Sequence, residues 1–336
     1  MNNVDLSGRE IVVERFGGVE VLQSKERTVS APPPGHARVR ILAIGVGFTD
    51  LMARRGDYLL QRKLPFTPGY ELVGEVVDHE ELEPGTLVAA ALPKMGAYAD
   101  YVVLPSWLLV PLPDGLDPAV AATVPLDYLT ALSILETHAQ VTSGDTVLIH
   151  GASGGVGQAL SQLGHRIGLR MYGTASAAGS EDRLARHGVS FIDYRHQDFA
   201  AVIAEREPEG ISAVFDHIGG ANIRKGYRLL AHGGVFVSYA FAGRPGHMVA
   251  DTVRGALRVN LLNLLPGRRT AVCMLPKEIR SNHDWYRRSL RRLLEQVHAG
   301  ELEVEPGATF PLAKAADVHR ALERHEINGK VVLTTN

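Results

Sequence analysis

The stretch "VLIHGASGGVGQAL", Val147 to Leu160, limits the folds open to this chain more than any other. It reads as a buried strand, a glycine-rich turn and the first turns of a helix. Gly151, Gly154, Gly155 and Gly157 stand where side chains would obstruct a tight turn and the approach of a pyrophosphate. A helix starting near Gly155 points its backbone N–H groups at that anion. Glycine-rich turns are common, but this one follows an apolar strand, opens a helix and precedes a second strand, the context a dinucleotide site requires. Gly154, Gly155, Val156 and Gly157 are therefore cofactor-binding candidates.

Downstream, strands and helices alternate. Strands are predicted at Thr146 to His150, Arg170 to Thr174, Ser190 to Asp193, Ala213 to Asp216, Gly234 to Tyr239 and Thr270 to Met274. Helical stretches such as "GQALSQLGHRIG", "SEDRLARHG" and "ANIRKGYRLLAHGG" lie between them, the last ending in the glycine expected past a helix C-terminus. That rhythm predicts a doubly wound parallel sheet. From Arg9 to about Leu112 the pattern is instead short alternating runs, broken by "APPPG", "LPFTPG" and "LEPGT". It predicts a β-rich domain. The tail, "EVEPGATFPLAKAADVHRALERHEINGKVVLTT", reads as strand, helix, strand that rejoins the β-rich half.

A length of 336 residues suits two domains. Lys plus Arg number 35 against 37 Asp plus Glu, a formal charge of -2, so no broad field draws the protein to nucleic acid or anionic lipid. A small molecule is the expected partner. A single cysteine, Cys273, excludes an intrachain disulfide framework and a thiolate-rich zinc site. The opening residues show no secretory signal and no apolar run reaches bilayer length, so a cytoplasmic location is expected.

An NAD site usually carries Asp or Glu about 20 residues past the loop, at the end of the second strand. Here that place reads "YGTASAAGS". With no carboxylate to repel it, a 2′-phosphate can enter, which points to NADPH. Ser176, Arg183, Arg186 and Tyr194 are candidates to bind that phosphate, although either arginine alone could be a solvated helix residue, and Thr174 is a further cofactor-binding candidate. Ile218 and Gly219, within Asp216 to Gly220, close the fourth strand, and Ser238, Tyr239 and Ala240 close the fifth. A ligand lying across the carboxyl ends of the sheet would meet both groups.

The ordered motifs "GFTDLMARRGDY", "PFTPGYELVGEV", "HGASGGVGQAL", "GTASA", "IDYR", "DHIGG", "KGYRLL" and "NGKVVL" resemble the zinc-free quinone oxidoreductases of the medium-chain dehydrogenase/reductase superfamily, nearest the vesicle amine transport protein branch and beside zeta-crystallin. The resemblance runs from about residue 10 to the C-terminus. It implies an α/β fold made of a β-rich, GroES-like catalytic domain over residues 1–122 and 301–336 and a Rossmann NADP-binding domain over 123–300. The glycine loop comes late because the substrate half is built first. Gly329 and Lys330, in the returning tail, are placed near the cofactor by the same resemblance.

Zinc-dependent members of the superfamily place Cys in the stretch matching "GVGFTD", His at the position of Tyr70 and another Cys near Leu126. None stands here, so no metal is expected. Without a Lewis acid, the remaining chemistry is hydride transfer to an acceptor activated by conjugation: a quinone, an enone or an enoyl thioester. The resemblance makes Tyr58 a candidate proton donor and places Thr130 beside the nicotinamide. It puts Gly47, Tyr58 and Tyr70 at the substrate. Two residues depart from the family pattern: Gly47 replaces a common Asn, and Gly179 replaces a lysine found in many NADPH-using relatives. The first keeps open a nucleotide-binding protein without turnover; a trans-acting enoyl-thioester reductase is the other alternative. "GHMVADTVRGALRVNLLNLLPGRR" reads as an amphipathic helix with Val249, Val253, Leu257, Leu261 and Leu264 near one face. That stripe is expected to face the core or a second copy, with a membrane surface the less favoured reading, and the resemblance implies a homodimer.

Overall fold

The computed structural model describes residues 4–176, 179–244, 246–324, 326–327 and 329–335. The chain divides into two compact units, Met1–Leu129 with Leu275–Asn336, and Thr130–Met274.

The first unit opens with an antiparallel pair, β1 (Leu6–Val13) and β2 (Leu22–Val29). Next come β3 (His36–Val46), α1 (Phe48–Arg55), β4 (Glu71–Asp78), β5 (Leu87–Ala91), β6 (Tyr101–Pro105) and β7 (Val110–Pro111). Two short helices follow, α2 (Pro118–Ala121) and α3 (Asp127–Leu132), the latter running from this unit into the next. The sequence starts α2 unambiguously: Asp117 accepts from the Ala119 and Val120 amides, and Pro118 takes the first helical position.

The second unit carries β8 (Thr146–His150), α4 (Gly155–Arg166), β9 (Arg170–Ala175), α5 (Ser180–Ala185), β10 (Val189–Asp193), α6 (Phe199–Arg206), β11 (Ile211–Asp216), α7 (Ala221–Leu229), β12 (Leu230–Ser238), α8 (Met248–Leu262) and β13 (Arg269–Val272). Its six strands are parallel in the order β10-β9-β8-β11-β12-β13, the doubly wound arrangement expected. The order reverses between β8 and β11, so a crevice opens at their carboxyl ends. Leu148, Ile192, Ile203, Val214, Ile223 and Phe236 form the core beneath it.

The tail returns to the first unit through α9 (Leu275–Ser281), α10 (His283–His298), β14 (Ala308–Pro311), α11 (Ala315–Glu323) and β15 (Val331–Thr334). There β15 pairs antiparallel with β3 and completes a seven-stranded sheet, β14-β15-β3-β4-β5-β7 with β6 on β3.

Three sequence expectations need correction. Residues 123–129 and 275–300 belong with the β-rich unit, not the Rossmann unit. The α10 helix is held there by Tyr286, whose hydroxyl donates to the Leu108 carbonyl at 2.7 Å and accepts from the Ala91 amide at 3.0 Å. The helix predicted through "LLAHGG" stops at Leu229, and β12 starts at once. Its register jumps from Leu230 opposite Ile211 to Val235 opposite Ala213, a bulge in which Gly233 takes φ +82°. Lastly, α8 buries Met248, Gly255 and Val259, whereas Val253, Leu257, Leu261 and Leu264 are exposed. The predicted apolar stripe therefore does not face its own core.

Candidate active site

In the second unit, the α4 N-terminus lies over the carboxyl end of β8. The first helical bond runs from the Gln158 amide to the Gly154 carbonyl, so the Gly155, Val156 and Gly157 N–H groups have no helical acceptor. Amides left open at a helix N-terminus in this way can receive a pyrophosphate. Gly151 has φ +64°, and a side chain at Gly157 would run into the Gly151 carbonyl and lie 2.6 Å from Ala152 Cα. Thr174 anchors the turn: its carbonyl accepts from the Ala152 amide at 3.0 Å, and its hydroxyl is 3.0 Å from His150 Nδ1.

At the ends of β9 and β10, the Ser176 hydroxyl donates to the Tyr194 hydroxyl at 2.7 Å. The two side chains predicted at the 2′ position are thus together. Arg183 lies on the following α5, half-buried. Gly179 caps that helix at φ +71° with open space around it, so backbone conformation rather than crowding disfavours a lysine there.

Across the switch point, Asp216 ends β11 and accepts from the Gly219 amide at 2.8 Å and the Ile218 amide at 3.2 Å. Burial pushes its carboxyl up to about 6, against the pull of those amides. Ser238 ends β12, with Tyr239 and Ala240 just past it; the Ser238 hydroxyl donates to the Ala240 carbonyl, and the Tyr239 hydroxyl lies 3.1 Å from His217 Nδ1. Burial holds both His150 and His217 neutral, their imidazoles pushed down to about 3 and about 4. The "DHIGG" motif contained His217, but nothing in its spacing marked the ring contact with Tyr239. Thr130 is buried within α3.

In the first unit, Gly47 precedes α1 and donates its N–H to Asp50 Oδ2 at 2.8 Å; Asp50 Oδ1 accepts from the Gly69 amide at 2.9 Å. A Cβ added at Gly47 would lie 3.2 Å from Leu126, so the stretches holding Gly47 and Leu126 converge. The zinc ligands of the superfamily would come from these stretches and from Tyr70. Glycine and leucine supply no donor atom, and the residues present do not fit a zinc ion.

Tyr58 and Tyr70 meet edge to face, 6.0 Å between ring centres. The neighbouring Tyr70 side chain favours the Tyr58 phenolate. Burial still raises the Tyr58 phenol above its ordinary value, Tyr70 opposes this, and Asp50 adds to it. Tyr58 is therefore neutral and able to donate at physiological pH. At Glu71, which follows Tyr70 in the chain, Lys330 approaches to 2.5 Å, and it also reaches Asp127 at 3.2 Å. Burial pushes Glu71 up to about 7 while Lys330 pulls it down. Burial alone would lower the Lys330 ammonium, but Asp127 and Glu71 more than offset this and keep it charged. Lys330, predicted at the cofactor, is thus part of a buried ion cluster. Gly329 beside it takes φ +84°. Sequence reading missed Asp50, Glu71 and Asp127; Asp50 and Glu71 lay inside quoted motifs, but nothing marked them as partners of Gly69 or Lys330.

Comparison with known proteins agrees with this architecture. An alcohol dehydrogenase GroES-like domain model matches residues 33–114, and a model described as zinc-binding dehydrogenase matches 188–333. The human synaptic vesicle membrane protein VAT-1 homolog is 32% identical over 346 residues, covering 97% of this chain and 86% of that protein. A Pseudomonas aeruginosa quinone oxidoreductase is 32% identical over 335 residues, covering 97% and 99%. A mycobacterial structure complexed with NADPH superposes with TM-score 0.83 at 28% identity, covering 97% of this chain and 99% of that one. Near-complete coverage at this identity, on a β-rich unit and a doubly wound unit whose zinc-ligand positions hold no ligands, means that the chain belongs to the zinc-free quinone oxidoreductase family of the medium-chain dehydrogenase/reductase superfamily, close to the VAT-1 homologues.

Proposed function

We propose that this chain is an NADPH-dependent reductase of quinones or α,β-unsaturated carbonyl compounds. The carrying observation is the Tyr58–Tyr70 pair, a neutral phenol backed by a second one beside positions that no longer supply zinc ligands. When bound, the reduced nicotinamide supplies a hydride to the electrophilic carbon of the acceptor. Tyr58 then gives its proton to the developing enolate or quinol oxygen, and the Tyr70 hydroxyl stabilises the phenolate left behind. Gly155, Val156 and Gly157 would hold the pyrophosphate, and Ser176 with Tyr194 the 2′-phosphate. The absence of a carboxylate at the end of β9 supports NADPH over NADH, and the NADPH complex of the related mycobacterial structure points the same way.

An enoyl thioester is a second acceptor class, favoured by the segment after Tyr58, where Leu59, Leu60 and Leu64 are exposed and can cover an acyl chain. A homodimer is also proposed: β13 is an edge strand, and the exposed α8 leucines lie next to it in sequence. Among the described residues no helix is long and apolar enough to cross a membrane. The test is NADPH and NADH oxidation with a quinone, simple enones and an enoyl thioester, alongside equilibrium binding of both cofactors. Acceptor-dependent NADPH oxidation is expected; tight NADPH binding with no turnover of any acceptor would overturn the reductase reading.

A further inference from the structure

The bulge that opens β12 is tied to the turn before β13. Gly233, at φ +82°, donates its amide at 2.6 Å to the carbonyl of Gly267, which takes φ +81°. Both loops stand at the amino ends of neighbouring parallel strands, the end of the sheet opposite the glycine turn after β8. A cavity of about 330 Å³ opens there, lined by Tyr227, His232, Leu265, Pro266, Gly267 and Arg268. Glycine at 267 lets the His232 ring lie against the turn, since a Cβ there would stand 3.0 Å from the imidazole Cδ2.

Arg268 is the half-buried cation of this cavity. Its guanidinium lies 5.5 Å from the centre of the buried Tyr227 ring, and the Tyr227 hydroxyl donates elsewhere, to the Leu262 carbonyl at 3.3 Å. That stack holds the guanidinium but satisfies none of its N–H groups. Among the described residues Arg268 has no ion-pair or hydrogen-bond partner. The surrounding sequence supplies no spare carboxylate. From His217 to Lys277 nine Lys or Arg stand against one acidic residue, Asp251, and Asp251 is already paired with Arg244 and Arg254.

We propose that this cavity binds a small organic carboxylate, with both oxygens on the Arg268 guanidinium and the apolar body against Leu265 and Pro266. A guanidinium offers paired N–H groups that match a carboxylate, and one already stacked on a ring loses little freedom on binding. His232 adds an N–H donor in either tautomer. The apolar part of the lining favours an organic anion over an inorganic one. This assignment does not rest on the reductase reading, because a dinucleotide belongs to the carboxyl ends of these strands.

The test titrates protein isotope-labelled at arginine and glycine with benzoate, with and without NADPH, by NMR. It follows Arg268 Nε–H, assigned through Arg268→Lys, and the Gly267 amide. Benzoate should move both signals along one saturable curve that NADPH leaves unchanged. Benzamide, the uncharged analogue of the same shape, should bind about 10- to 150-fold more weakly. Benzoate should weaken by a similar factor in Arg268→Gln, read at the Gly267 amide, while NADPH affinity stays at the wild-type value. Inorganic phosphate at equal concentration should not displace benzoate. Absence of a saturable shift at Arg268 in the wild-type protein overturns the proposal without recourse to any variant. Benzamide binding as tightly as benzoate, displacement by equimolar phosphate, or competition between benzoate and NADPH at these signals would each overturn it too.

Discussion

Lys330 Nζ stands 2.5 Å from Glu71 Oε1, joining the C-terminal tail to the start of β4 inside a site where Glu71 is fully buried. Removing one member of such a pair leaves an uncompensated buried charge. Lys330→Met should cost roughly 3–5 kcal/mol of unfolding free energy at pH 8, measured by urea denaturation. The loss should shrink as pH falls. Without the lysine, the Glu71 carboxyl rises further above about 7, so the folded state keeps a proton that the unfolded state releases. Stability of the variant must then fall as pH rises between the unfolded value near 4.5 and the folded one. A pH-independent deficit would mean that Glu71 does not carry the charge.

The Ser176–Tyr194 hydroxyl pair follows the ends of β9 and β10, at the proposed 2′-phosphate pocket. Placing a carboxylate there should repel a 2′-phosphate and accept a ribose 2′-hydroxyl. Ser176→Asp is expected to weaken NADPH binding about 10- to 150-fold and to leave NADH binding unchanged or tighter. Gly179→Lys, although it restores the residue of many relatives, should not tighten NADPH by that factor, because the backbone there has φ +71°. Equilibrium titration of both cofactors checks both variants. Equal losses for NADPH and NADH in Ser176→Asp would place the 2′ pocket elsewhere.

Tyr58→Phe should lower kcat with the best acceptor about 100- to 10,000-fold if the phenol is the proton donor, while NADPH affinity stays unchanged. Tyr70→Phe removes only the hydroxyl that favours the Tyr58 phenolate and should cost about 10-fold or somewhat more. Because burial raises the Tyr58 phenol above 10.0, the donor form persists across neutral pH, and its alkaline loss of activity should begin only above that value. A Tyr58→Phe enzyme with wild-type kcat would assign the proton to water.

The glycine turn, the six parallel strands and the returning tail were legible because each is written in local pattern: apolar runs, glycine at fixed offsets and helical periodicity. The polar interior of the first unit was not. Tyr98 and His319 come from the segment before β6 and from α11, so only folding brings them together. The α10 helix was misassigned for the same reason, since its amphipathic face looks alike whichever unit it covers. What fixes it is Tyr286 bonding to Leu108 and Ala91. The bulge after α7 was hidden because "LLAHGG" satisfies a helix end and an irregular strand equally well.

The exposed apolar stripe of α8 tests the proposed dimer. Leu257 and Leu261 are 58% and 64% exposed, and β13 leaves one edge of the six-stranded sheet without a strand partner among the described residues. Isolated exposed leucines are ordinary, but a row of them beside an open strand edge marks an association surface. Wild-type protein should run as a dimer in light scattering at micromolar concentration. Leu257→Glu combined with Leu261→Glu should shift it toward monomer, because two carboxylates would have to be buried against the partner. Neither leucine is buried within its own unit, so the thermal transition of the isolated monomer should change little. A dimer unaffected by the double substitution would move the interface to the β13 edge alone, and a monomeric wild-type protein would end the proposal.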